Sequence, residues 1–214
     1  MIKRGVDFSL AGLLLVLLLP FFAVIAMLVA LDSEGPVLFR QPRMGRYFRR
    51  FTMFKFRTMR WCDSGSMFTL GADVRITRVG RWLRRTKLDE LPQLWNVLRG
   101  EMSLVGPRPV IPELTREFRA GYRSLLRVRP GLTDPATLKY RNETEMLARV
   151  PDPLQYFKTV VTPDKIRISR EYLRDASLTT DMGVIVQTAI ALLVSQKASE
   201  PIMPYAPEAE RKSA

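Results

Sequence analysis

The chain has 214 residues, of which 47% are hydrophobic, 34 are Lys or Arg, 21 are Asp or Glu and none is His. That length holds one domain and an accessory segment, and a formal charge of +13 calls for an anionic partner: nucleic acid, a lipid surface or a phosphorylated substrate. Without His and with Cys62 alone, a Ser-His-Asp triad, a Cys-His pair, a structural zinc site and a disulfide framework are all excluded, which leaves carboxylates, Lys, Arg and bound metal and fits a reducing cytoplasm.

Phe8 to Leu31 carries no charge over 24 residues. As a helix it rises about 36 Å, enough for a hydrocarbon core of about 30 Å. The run is longer than the apolar region of a signal peptide. Pro20 at its middle lacks an N–H and crowds the carbonyl of Val16, which predicts a kink or break. Basic residues flank both ends, Lys3 and Arg4 before and Arg40 to Arg50 after, as a re-entrant segment with both flanks in the cytoplasm requires. A simple crossing stays open, because proline is tolerated in spanning helices.

Next, PVLFR and RFTMFKFRTM alternate aromatic and branched residues, predicting a short hairpin after Gly35-Pro36 with Gly45 in the turn. Asp63 to Gly71 reads as a loop and Arg78 to Arg85 as a short basic helix. Leu91, Leu94, Trp95 and Leu98 form one apolar helical face stopped by Gly100. The turn GPRPVIP precedes a predicted helix from Glu113 to about Arg127, then a loop and short strand around Pro130-Gly131. Lys165 to Arg174 is predicted helical. Met182 to Gln196, 15 uncharged residues, is too short to span easily and packs on the core or lies at an interface. The tail from Lys197 has a disordered composition.

Charge is concentrated: fourteen basic and two acidic residues lie between Arg40 and Lys87. This stretch runs into TKLDELPQLWNVLRGEMSLVGPRP, Thr86 to Pro109. Asp89 is predicted to cap a helix in which Glu90, Leu91 and Pro92 come first, so that backbone N–H groups and the helix dipole favour its ionised form. Glu90 adds a hard oxygen donor of the kind Mg²⁺ prefers. Such a pair is also ordinary capping. The basic segment on one side and Pro107-Arg108-Pro109 on the other, an arginine suited to bidentate phosphate contact, point to phosphoryl-transfer chemistry.

These pieces together resemble the bacterial sugar transferases known as monotopic phosphoglycosyl transferases. The resemblance runs from Lys3 to about Leu193. It is carried by Lys3, Arg4 and Asp7, the apolar run with Pro20, DSEGPVLFRQPRMG from Asp32, FKFRTM from Phe54, KLDELPQLWNVLRGEMSLVGPRP from Lys87 and RPGLTDPATLKYRNE from Arg129. It implies an α+β, mainly helical fold. Residues 1–33 would form a re-entrant membrane helix-break-helix hinged at Pro20, and 34–196 a cytoplasmic catalytic domain with a short β-hairpin and interfacial amphipathic helices. A tail, 197–214, would follow.

The resemblance further implies that Asp89 is the nucleophile attacking the β-phosphate of a UDP-sugar, and that Glu90 binds Mg²⁺. UMP is released, and a polyprenol phosphate, the undecaprenyl type included, takes the sugar phosphate from the aspartyl intermediate. Lys55 and Arg108 match positions linked to the active site and are assigned to phosphate; Arg57, Arg141 and Asn142 are further substrate-binding candidates. The implied location is the cytoplasmic face of a bacterial inner membrane. Partners would be membrane lipid and no nucleic acid, with homo-oligomerisation left open. Two departures from the family pattern stand out. Leu19 precedes the proline where many relatives have a small polar residue. Asp134-Pro135-Ala136-Thr137 and Ser169 stand where one branch has Gly-Trp-Ala-Gln and Asp. The competing reading is a membrane-tethered basic protein that binds nucleic acid or acidic lipid through Arg40–Lys87 without catalysis. It leaves Asp89-Glu90 and the Pro-Arg-Pro turn unexplained.

Overall fold

The computed structural model describes residues 2–60 and 74–193. The expected loop at Asp63 to Gly71 and the tail from Lys197 lie outside these residues. The described part is mainly helical, with two small two-stranded sheets.

Helix α1 (Ile2–Asp32) has 31 residues and is long and apolar enough to cross a membrane by length and composition. The expected break at Pro20 is not a helix boundary here, and the helical run continues through it. A proline removes one intrahelical bond and crowds one carbonyl, but the turns on either side keep theirs. One face of α1 packs along its whole length. Ala11, with Leu10, Leu14, Leu15 and Leu18, joins a core containing Leu94, Val97, Met102 and Leu104. Ile25 and Val29, with Phe22 and Ala26, join a second core with Phe56 and Leu83. The opposite face leaves Leu13, Val16, Leu17, Val24, Met27, Leu28 and Leu31 exposed.

Polar ties hold both ends of α1 on the same domain. At the start, Arg4 donates to the carbonyls of Val97 (2.6 Å) and Leu98 (3.0 Å), and buried Asp7 accepts from Ser103 Oγ (2.7 Å) and the Leu104 N–H (3.2 Å). Lys3 pairs with Asp181. At the end, Asp32 accepts from the Val79 N–H at 2.9 Å, and buried Arg57 donates to the carbonyls of Val29, Ser33 and Pro36.

Strands β1 (Leu38–Met44) and β2 (Arg50–Phe56) pair antiparallel, as their alternation predicts. Helix α2 (Arg78–Thr86) is capped by the Thr77 hydroxyl, which accepts from Gly80 N. Helix α3 (Gln93–Leu98) follows, shorter than its apolar pattern implies. It buries Gln93, Leu94, Asn96 and Val97, whereas Trp95, expected on the apolar face, is 52% exposed. Asn96 is buried because it bridges, donating to the carbonyl of Thr52 (2.7 Å) and to Glu101 (2.7 Å) and accepting from the Phe54 N–H (3.2 Å).

Strand β3 (Ser103–Val105) pairs parallel with β4 (Gly131–Thr133). The backbones of Gly106 and Gly131 meet so closely that neither position has room for a Cβ. The helix expected from Glu113 to Arg127 is two: α4 (Pro112–Glu117) and α5 (Arg119–Leu125), separated where Phe118 (φ −107°, ψ 37°) leaves helical geometry. Helices α6 (Pro135–Lys139), α7 (Glu143–Leu147) and α8 (Pro153–Tyr156) are short. A π-helical turn, Phe157–Val161, then feeds α9 (Thr162–Arg174). Helix α10 (Leu178–Leu193) sets Val184 in the core beside α1 and exposes Leu178, Met182, Val186, Ile190 and Leu193 on its other side. The core reading of this uncharged run therefore holds for one of its faces.

Candidate active site

The Asp89-Glu90 pair sits on a reversal. Helix α2 ends at Lys87, which adopts left-handed backbone geometry (φ 59°, ψ 14°) that residues with a Cβ mostly avoid. A single 3₁₀ turn, Leu88–Glu90, begins at once. Leu88 packs on the Ile25, Val29 and Leu83 core, while Asp89 turns inward to 6% exposure. Asp89 is therefore not the helix cap expected from the sequence. Pro92 holds that position, the 3₁₀ turn intervenes, and no cap hydrogen bond to a side chain is made.

That difference reverses the expected electrostatics. Burial is the largest influence on Asp89 and Glu90 beside it the next; together they raise its carboxyl to about 6 against the pull of Lys55, Lys87 and Arg84. Its Oδ1 is buried without a hydrogen-bond partner among the described residues. Glu90 behaves oppositely. Burial alone would raise it, but Arg108 outweighs this by charge and by a two-pronged hydrogen bond, Nη1 to Oε2 at 3.0 Å and Nη2 to Oε1, holding it at about 2. Two adjacent carboxylates are thus driven apart, one kept ionised and one poised near neutrality.

Cations surround them. Lys55 lies on β2, where burial, only partly opposed by Asp89, lowers its ammonium to about 8. Burial likewise lowers Arg43, on β1, to about 10, with the Arg108 charge acting in the same direction. Lys87 is lowered by burial against the attraction of Glu90. Arg84 is steered by a 2.8 Å bond from its Nε to the Thr58 hydroxyl.

The sequence-predicted candidates divide accordingly. Asp89, Glu90, Lys55 and Arg108 come together. Arg108 turns its fork onto Glu90 rather than standing open for phosphate. Arg57 does not join them: its Nη2 donates to the Val29 and Ser33 carbonyls at the end of α1 and its Nη1 to that of Pro36 just beyond, so it closes a helix end and its assignment to substrate is withdrawn. Arg141 and Asn142 lead into α7, and the cavity beyond Arg108 is lined by Glu143 and Thr144 instead. Arg43, Arg84 and Lys87 were not singled out, although strand alternation held a signal. Register pairs Phe39 with Lys55 and Arg43 with Phe51, so Arg43 and Lys55 share one face of the hairpin.

The fit of a divalent ion can be tested on the donors present. Among the described residues no group of three or more Asp, Glu, His or Cys converges. Asp89 Oδ1 is unpartnered, and each Glu90 oxygen keeps a second lone pair beside its bond to Arg108. Two such carboxylates suit Mg²⁺, which takes its remaining ligands from substrate phosphates and water.

Comparison with known proteins now decides the lineage. The model of the bacterial sugar transferase family matches residues 1–195. The chain belongs to the bacterial sugar transferase family. It is 40% identical over 206 residues to the undecaprenyl-phosphate glucose phosphotransferase of Komagataeibacter xylinus, covering 92% of this chain and 36% of that protein. It is 36% identical over 204 residues to the UDP-glucose:undecaprenyl-phosphate glucose-1-phosphate transferase of Escherichia coli K12, covering 92% of this chain and 41% of that one. The chain thus spans about two fifths of the length of these relatives. With the exopolysaccharide production protein PSS of Rhizobium leguminosarum bv. phaseoli it shares 37% identity over 212 residues, covering 92% of this chain and 97% of the relative. Asp89, Glu90, Lys55 and Arg108 all lie inside the family match.

Proposed function

We propose that this member of the bacterial sugar transferase family moves a sugar 1-phosphate from a UDP-sugar to a polyprenol phosphate of the undecaprenyl type, releasing UMP and starting a lipid-linked glycan. The observation that carries the reading is the divided dyad. A buried carboxylate with a free oxygen, Asp89, stands beside one locked in its ionised form, Glu90, amid Lys55, Lys87, Arg84, Arg43 and Arg108. Five cations facing two carboxylates leave a positive surplus for a diphosphate. The relatives support the same substrates: the Escherichia coli protein joins UDP-glucose and undecaprenyl phosphate, and the Komagataeibacter xylinus protein is an undecaprenyl-phosphate glucose phosphotransferase.

In the first displacement an Asp89 oxygen attacks the β-phosphorus as the bond from that phosphorus to the bridging oxygen breaks, and UMP leaves with the electron pair. In the second, a phosphate oxygen of the polyprenol phosphate attacks the same phosphorus and Asp89 departs as carboxylate. Asp89 must be ionised and desolvated to attack: burial desolvates it and raises its carboxyl, while Lys55, Lys87 and Arg84 pull against that rise and favour the anion. Glu90, with Asp89 Oδ1 beside it, would hold Mg²⁺, which when bound would supply positive charge to offset the diphosphate. Arg108 keeps Glu90 ionised and oriented.

Attachment follows from α1. A crossing helix parts its ends by the thickness of a bilayer, yet Arg4 and Asp7 at one end and Asp32 at the other bind one domain. These ties support a reading in which both ends lie on one face, which we assign to the cytoplasm, with the exposed apolar face of α1 and Pro20 in lipid and the apolar stripe of α10 at the interface. Leu88 packs on α1 one residue from Asp89, which brings the nucleophile to the lipid acceptor.

The test is UMP release by the purified chain with Mg²⁺, a UDP-sugar and undecaprenyl phosphate. Asp89→Asn is expected to lower turnover by at least about 10³-fold and to abolish a phosphosugar adduct seen by intact mass. An Asp89→Asn protein with wild-type turnover overturns the assignment. The rival nucleic-acid reading loses ground because Arg43, Lys55, Arg84 and Lys87 act on the carboxylate pair instead of forming an outward platform.

A further inference from the structure

Beyond Arg108 lies a cavity of about 240 Å³ that the chemistry above does not use. Its walls include Arg43, Arg108, Tyr122, Glu143, Phe157 and Thr162. Three of these carry a buried polar atom without a hydrogen-bond partner among the described residues: Arg43 Nε, Glu143 Oε1 and Thr162 Oγ1. A buried polar group left unmet is unfavourable, so three on residues that line one cavity point to a ligand that meets them.

The pattern restricts what that ligand is. A carboxylate oxygen only accepts, so Glu143 requires a donor and repels a bare phosphate. Thr162 can donate or accept, while Arg43 Nε requires an acceptor. Phe157 and Tyr122 add aromatic walls. The backbone places these groups deliberately. The π-helical turn Phe157–Val161 delivers Phe157 and, directly after it, Thr162. Lys165, one turn on, fixes Glu143 through Oε2 at 2.7 Å and leaves Oε1 over. The cationic end of the cavity belongs to Arg108, already bound to Glu90.

Resting on the transferase reading, we infer that this cavity seats a hydroxyl-bearing ring of the nucleotide-sugar donor, with Glu143 and Thr162 as the residues that recognise its hydroxyls. A ring attached to phosphate meets every condition at once: a phosphate oxygen toward Arg43 Nε, hydroxyls on Glu143 and Thr162, and C–H groups against the aromatic walls. The donor carries two such rings, the sugar on the β-phosphate and the ribose on the α-phosphate.

The test uses the full chain in lipid nanodiscs, as wild type, Glu143→Gln and Thr162→Val. Neither variant removes a hydrogen bond from the free atom it changes. The kcat/KM for UDP-glucose, UDP-galactose and their N-acetyl counterparts is measured, with inhibition by UMP. If the cavity holds the sugar, selectivity among donors shifts by at least about 10-fold, the scale of one hydroxyl contact, and UMP inhibition is unchanged. If it holds the ribose, UMP inhibition weakens by a similar factor and donor selectivity stays. Turnover that falls uniformly, or not at all, with both quantities at wild-type values overturns the inference. Should the wild type release no UMP from any donor, the transferase reading fails separately. Calorimetry of the same UDP-sugars and of UMP against the three proteins then still decides the cavity, since equal affinities refute it.

Discussion

Asp89 and Glu90 are neighbours in sequence and chemically opposite, because Arg108 bonds both oxygens of Glu90 while Asp89 Oδ1 is buried with no hydrogen-bond partner among the described residues. This predicts a pH profile. Below about 6 Asp89 takes up a proton and cannot attack; above about 8 Lys55 loses the charge that would meet phosphate. The kcat/KM for a UDP-sugar should form a bell with limbs near these values, and a profile flat from pH 5 to 9 contradicts both roles. Arg108→Lys, which cannot reproduce the two-pronged contact, should free Glu90 to rise and lower kcat/KM about 10- to 100-fold, read in the same assay. Arg57 makes a contrasting case. Arg57→Lys leaves carbonyls among Val29, Ser33 and Pro36 unmet and should cost about 1–3 kcal/mol in unfolding, with the KM for UDP-sugar unchanged. Lys55 was legible from its motif, but Arg57, two residues on, was not separable from it. Both are basic residues in one motif, and only their partners tell them apart.

At the level of elements, legibility followed length and period. The hairpin strands, seven residues each, show a clear alternation, and α2 and α9 announce themselves by charge and length. Helices α6, α7 and α8 have five residues or fewer, under two turns, so no 3.6-residue period can develop in them. Asp89 was misplaced as a cap for a related reason: a 3₁₀ turn and a helix start share the same residue preferences, and Lys87 in left-handed geometry decides between them. Asp7 shows how elements are joined. It is the buried acceptor through which α1 holds β3, so Asp7→Ala should expose the loss of two hydrogen bonds as about 1–3 kcal/mol in chemical unfolding, larger than the same change at exposed Glu34.

For the whole molecule the decisive relation is between α1 and the domain beside it. A helix apolar all round tells only that it leaves water; one face here is covered by the domain from Leu10 to Val29, and the other is bare. The predicted topology is checked by Ile2→Cys and Arg60→Cys, made singly in a Cys62→Ser background. Both thiols should be labelled by an impermeant reagent from the cytoplasmic side alone. Labelling of position 2 from the opposite side would mean a true crossing.

The chain's own order of residues was enough for its family, its long apolar helix, its basic stretch and the Asp89-Glu90 pair, because charge, hydropathy and a contiguous motif are local properties. It could not say which of two adjacent carboxylates is held ionised, which arginine bonds that pair and which closes a helix end, or what the start of α1 packs on. Those depend on Arg108 meeting Glu90 across 18 positions, Arg57 meeting Val29 across 28 and Asp7 meeting Leu104 across 97. Such partners are chosen by packing, and their electrostatics by the burial that packing creates.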